Sequence, residues 1–191
     1  MILQIVKYGD PILRKTGKKI EKITPEIIKL INDMFETMAA NHGVGLAAQQ
    51  VGYALQLMVI DVRGVKDRPS SMDIDGQTVK PEDLMPIALI NPQVIPEGAP
   101  ETGPEGCLSF PEIYADITRP SKISVAAINQ NEQQINFKCS GLLARAIQHE
   151  LDHLKGILFI DRMDSITLEE LQPNLDKIKI DTIKKISKSQ K

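Results

Sequence analysis

Between Thr24 and Gly43 the apolar residues Ile27, Leu30, Ile31, Met34, Phe35 and Met38 fall three and four positions apart. That spacing lays them along one stripe of a helix. Thr24 suits the N-cap, and Pro25 the first helical position, where its missing N–H costs nothing. Gly43 is a natural stop. A second helix is predicted over SGLLARAIQHELDHLKG, residues 140–156. Leu142, Leu143, Ala146, Ile147 and Leu154 supply its apolar contacts, Ser140 is placed to cap it and Gly156 to end it. In the tail, Leu168, Leu171, Leu175 and Ile178 repeat at helical intervals, and lysines dominate the end.

The middle of the chain has a different rhythm. LQLMVIDV (55–62), IALINPQVI (87–95), KISVAAIN (122–129) and QINFK (134–138) are short, rich in β-branched residues and bounded by turn formers, so they predict strands. Residues 63–86 are polar, with Pro and Gly, and read as a surface insertion within a single domain spanning 1–191. ILFIDRMD, after the second helix, is expected to be a brief extended piece. Strands flanked by helices, rather than alternating with them, indicate the α+β class.

Composition narrows the function. A net charge of -2 over 191 residues provides no basic field for sequence-specific nucleic-acid binding. Tryptophan is absent, so aliphatic side chains must fill the core. Two cysteines do not make a disulfide scaffold. No apolar run is as long as a membrane span, and MILQIVKYGDPILRK lacks the features of a secretory leader. A reducing cytoplasm is the expected compartment.

The chemistry is concentrated in QHELDHLKG, residues 148–156. His149 and His153, at i and i+4, share one helical face and can meet one metal ion. Glu150 lies about 100° around the helix from His149, beside such an ion rather than on it, where it can act as a general base on water. A catalytic site of this kind wants a third protein ligand. The position where a longer three-histidine motif would place that ligand holds Phe159, which cannot bind a metal. Glu169, Glu170, His42, Cys139 and Cys107 are the alternatives. Cys107 is preferred, because glycines and prolines crowd it from both sides and core filling explains it poorly. Cys139 reads better as a small buried hydrophobe.

GVGLAAQQ (43–50), EGCLS (105–109) and QHELDH (148–153) resemble, in order, the three signature motifs of peptide deformylases, and YGDPILR (8–14) resembles that family's N-terminal segment. The resemblance runs from about residue 1 to residue 160. It implies metal-dependent removal of the formyl group from the N-terminal formyl-methionine of new polypeptides. It implies Cys107, His149 and His153 as ligands of one divalent ion, Fe(II) in the cell, with Zn(II), Ni(II) or Co(II) also compatible. Glu150 is then the general base and acid. The Gln50 side chain and the Leu108 backbone N–H are the donors to the carbonyl oxygen. Val44, Gly45 and Gly106 would pair with the substrate as an added strand, and Val44, Ala146 and His149 would surround the methionine side chain. The implied architecture has mostly antiparallel strands packed around the central H-E-x-x-H helix, with an N-terminal and a C-terminal helix.

The C-terminal helix and basic tail, 165–191, resemble the class in which this helix docks on the ribosome. Lys177, Lys179, Lys184, Lys185 and Lys188 suit contact with RNA phosphates. Glu105 and Arg119 are expected to pair and to fix the Cys107 loop. Two other functions fit parts of the sequence. An H-E-x-x-H protease with an acidic third ligand would not need Cys107. A binding module that had lost catalysis would have no use for Gln50, Cys107 and Glu150 together.

Overall fold

The computed structural model describes residues 1–189. Helix α1, Pro25–Ala40, covers the first apolar stripe, although Thr24 makes no side-chain capping bond. Strand β1, Gly45–Ala47, follows, and then β2, Leu57–Ile60. Residues 63–86 carry β3, Ser70–Ile74, and β4, Gln77–Val79. Next come β5, Ile87–Cys107, β6, Phe110–Ile128, and β7, Gln134–Ser140. The second helix, α2, is Gly141–Leu154, and α3 is Ser165–Ser189.

The seven strands pair in the order β1-β2-β5-β6-β7-β3-β4, every pairing antiparallel. At the centre the sheet is buried on both faces. Met58 and Ile60 of β2, with Ile87 and Leu89 of β5, pack in the cluster that includes Leu143 and Ile147 of α2. The alternate residues Leu57, Val59, Ala88 and Ile90 pack with Ile31, Met34 and Met38 of α1. Both strand faces are therefore apolar, which is why these segments read as unbroken hydrophobic runs. Each Val, Leu, Ile or Met among them contributes about 1.5–3 kcal/mol on leaving water.

Three local expectations change. Strands β5 and β6 run far past 95 and before 122, forming a long two-stranded ribbon joined at Cys107–Phe110. Beyond Ile90, β5 has only β6 as a partner, and an edge strand tolerates the prolines at 96, 100 and 104. The segment after α2 is not extended: Phe159–Arg162 is a 3-10 turn, whose buried Phe159 and Ile160, with the preceding Leu158, join a third cluster with Leu13, Phe110 and Leu175. Ser140 makes no cap, and its hydroxyl instead meets that of Ser71 at 2.6 Å. The exposed N–H groups of α2 are satisfied from residues 69–70: Leu142 donates to the Pro69 carbonyl at 3.3 Å and Leu143 to the Ser70 hydroxyl at 3.0 Å. Gly141, at φ 68°, makes this approach possible, since a Cβ there would lie 2.1 Å from the Pro69 oxygen.

Candidate active site

The β5–β6 ribbon turns tightly at Cys107↔Phe110, leaving Leu108 and Ser109 as the hairpin loop. This turn holds Cys107 against α2. Its Sγ lies 3.3 Å from His153 Nε2, and the ligand atoms of Cys107, His149 and His153 all fall within 4.8 Å of one another. Donors sharing one tetrahedral ion at ~2.0–2.3 Å stand roughly 3.3–4 Å apart, so a thiolate and two imidazoles in this arrangement fit a single cation. Among the described residues, two buried polar atoms beside them, Glu150 Oε2 and His153 Nδ1, have no hydrogen-bond partner. The other sequence candidates are elsewhere. Cys139 is in the core, where burial pushes its thiol up to about 12. Glu169 and Glu170 are exposed on α3, and His42 is an exposed residue at the rim.

Gln50 stands in a 3-10 turn, Ala48–Val51. Its Oε1 accepts the Ala47 N–H at 2.8 Å, which fixes the amide so that Nε2 faces Cys107 Sγ at 3.4 Å. Glu150 is buried against Gly45, where a Cβ would lie 2.6 Å from its Oε1. Only glycine allows that approach. Burial raises the Glu150 pKa to about 7, although the nearby His149 pulls in the opposite direction.

Behind the histidines lies a buried ionic network. Burial alone would raise the Glu105 pKa, but hydrogen bonds from His149 and Arg119 outweigh it and hold the carboxyl at about 2. Arg119 grips Glu105 with two bonds, 2.6 and 2.9 Å, and reaches Asp152 at 2.8 Å. Glu105 Oε2 contacts His149 Nδ1 at 2.9 Å and so orients that ring. Burial disfavours a charged His149, yet its bonds to Cys107 and Glu105 carry its pKa well above the ordinary value. For His153, burial, His149 and Arg119 all act downward. Arg162 closes the network on Asp152 at 2.5 and 2.6 Å.

A cleft of about 580 Å³ opens over these groups. Val44, Gly45, Gly106, Leu108, Ala146 and Glu150 line it together with Gln50, Cys107 and His149, whereas His153, 1% exposed, lies beneath. Sequence reasoning placed the Glu105–Arg119 pair but missed Lys7, Arg145, Asp152 and Arg162. Lys7 Nζ donates to the Leu108 carbonyl at 2.6 Å, and the Tyr8 N–H to the Ser109 carbonyl at 2.9 Å, so the N-terminal segment braces the hairpin loop. Nothing local in the sequence signals a partner 101 positions away. Asp152 lies inside QHELDH and could have been suspected as a carboxylate on a buried helix.

Residues 2–169 match the family model described as polypeptide deformylase. The peptide deformylase of Methylacidiphilum infernorum is 45% identical over 179 residues, covering 94% of each chain, and that of Opitutus terrae is 41% identical over 169 residues, covering 87% of this chain and 88% of the other. The structure is similar to that of peptide deformylase from Ehrlichia chaffeensis, with a TM-score of 0.82 at 33% identity over 97% of this chain and 99% of that one. It is also similar to the enzyme from Synechococcus elongatus solved in complex with actinonin, with a TM-score of 0.76 at 38% identity over 92% and 85%.

Proposed function

Since the chain belongs to the peptide deformylase family, hydrolases that release formate from the N-terminal formyl-methionine of nascent polypeptides, we propose that Cys107, His149 and His153 hold its metal ion and that Glu150 moves the protons of its reaction. The observation that carries this is the convergence of one thiol and two imidazoles beside a buried carboxylate with an unpartnered oxygen. The mixed soft and borderline donor set suits Fe(II), with Zn(II), Ni(II) and Co(II) as alternatives. Bound there, the cation would supply the Lewis acidity that activates water and the formyl carbonyl.

The chain's own groups do the rest. The substrate backbone lies between Val44–Gly45 and Gly106 as an added strand, and its methionine side chain enters the apolar space at Val44, Ala146 and His149. Glu150, kept basic by burial, takes a proton as water adds to the formyl carbon. The Gln50 Nε2–H and the Leu108 N–H donate to the oxygen that gains charge, each worth about 3 kcal/mol of barrier. Glu150 then returns the proton to the amine as the C–N bond breaks and formate leaves. Glu105, Arg119 and Asp152 hold the imidazoles in place. The chain acts as one catalytic domain, with 63–86 as an insertion. Its compartment is the cytoplasm, and no described helix is long and apolar enough to cross a membrane. The lysine-rich end of α3 is a contact for the ribosome.

Cobalt loading tests the ligand set. Co(II)-substituted protein should show thiolate-to-metal absorption in the near ultraviolet, lost in Cys107→Ala and retained in Cys139→Ala. Retention in Cys107→Ala would refute the assignment.

A further inference from the structure

The segment 63–86 does more than extend the sheet. Pro69 and Ser70 are bonded to the first turn of α2, and Gly141 permits the two backbones to touch. Arg68, the preceding residue, is thereby held at the wall of the cleft, which it lines. It is half-buried, and among the described residues it has no hydrogen-bond or ion-pair partner. Its neighbours in the wall differ. Arg145 is saturated by Glu105 at 2.9 Å, the Ile117 carbonyl at 2.7 Å and the Glu101 carbonyl at 2.8 Å. Lys7 donates to the Leu108 carbonyl, so its charge sits at the Cys107 hairpin turn. The carboxylates among the described cleft residues are Glu105, tied to Arg119, Glu150 at the floor, and Glu112, exposed on β6. An unpaired guanidinium, with a rigid fork of donors, remains facing the space where a peptide would lie.

Its position along the cleft sets its reach. From His149 to Leu142, beside Pro69, α2 rises about 10 Å at ~1.5 Å per residue. An extended peptide covers that distance in about three residues.

We infer that Arg68 is a specificity-determining residue that takes an acidic side chain on the second or third residue of the formyl-methionyl substrate. This rests on the deformylase function proposed above. The carboxylate would accept the guanidinium's paired N–H donors at the open end of the cleft, away from the reacting atoms. Recognition should therefore appear in KM rather than in kcat.

The experiment is formate release from C-terminally amidated formyl-Met-Ala-Ser, formyl-Met-Asp-Ser, formyl-Met-Ala-Asp and their lysine counterparts, with the Fe(II) holoenzyme and its Arg68→Gln, Arg68→Lys and Glu112→Gln variants. At least one acidic peptide should exceed the alanine peptide by roughly fivefold in kcat/KM, in keeping with a partly exposed charge pair, and the lysine peptides should fall below it. Arg68→Gln should abolish the preference, Arg68→Lys retain part of it, and Glu112→Gln leave it in place. Turnover without charge preference, or a preference that survives Arg68→Gln, would overturn this inference alone. Absence of formate from every peptide would overturn the deformylase function and this inference with it.

Discussion

Glu105 touches three cationic or ionisable partners at once: Arg119, Arg145 and His149. Removing its charge leaves Arg119 buried with Asp152 as its remaining acidic partner. Glu105→Gln should therefore cost about 3–5 kcal/mol in chemical denaturation, the range for breaking a buried pair. It should also weaken metal binding by about 10- to 100-fold through the loosened His149 ring. Its carboxyl is held at about 2, below the ordinary 4.5. A depressed folded value means the stabilisation is complete above about 4.5 and is lost as pH falls towards 2. Denaturation midpoints followed across that window should fall in the parent protein and be flatter in Glu105→Gln. At this scale the sequence was most informative where chemistry and periodicity coincide. His149, Glu150 and His153 share one helix, and Cys107 stands in a run of glycines and prolines with no core periodicity to claim it, although the fold packs it against the third cluster. Lys7, Arg145 and Arg162 were invisible, because their partners are brought near by the fold alone and an isolated basic residue ordinarily signifies solvent.

Among the elements, the helices were the most legible and the β5–β6 ribbon the least. Helical stripes average over many positions, so α1 and α2 survive a missing cap at Thr24 and at Ser140. Past Ile90, β5 is largely exposed, carries Pro96, Pro100 and Pro104, and loses the alternation that marks a strand, whereas in β6 Ile113, Ala115 and Ile117 do alternate with exposed residues but stand between prolines at 111 and 120 that read as turn formers. β3 and β4 were hidden for a similar reason: the hairpin is largely polar and turns at Asp75–Gly76, both with positive φ. The meeting of this segment with α2 also gives a test. Gly141→Ala must either abandon φ 68° or drive a methyl into the Pro69 carbonyl. It should lower stability by at least about 2 kcal/mol in urea denaturation. A neutral result would mean that residues 69–70 do not seat on α2 as described.

Across the whole fold the described residues form three apolar clusters: one on each face of the central sheet and a third joining the hairpin turn to α3 through Phe110, Phe159 and Leu175. The third sets how the tail is to be tested. Ile178 packs on this cluster and the Lys179 backbone lies against Gly9, so cutting the chain at 177 would strip structural contacts along with charge. Residues 190 and 191 of the basic tail lie outside the described residues. Lys177, Lys179, Lys184, Lys185 and Lys188 are exposed, and changing them to Gln leaves the packing alone. Their joint substitution should weaken co-sedimentation with ribosomes and its salt dependence, with small-peptide turnover unaffected. Undiminished co-sedimentation would remove the ribosomal role from these lysines. The catalytic proposal concerns the cleft, in which Glu150, beside Cys107, His149 and His153, would remove a formyl group. Its most direct test is anaerobic formate release from formyl-Met-Ala-Ser by metal-stripped protein reloaded with Fe(II), beside Glu150→Ala treated identically. The account predicts turnover by the first and a loss of about a hundredfold or more in the second. Equal formate release by both, or none from reloaded protein with its metal bound, would contradict it.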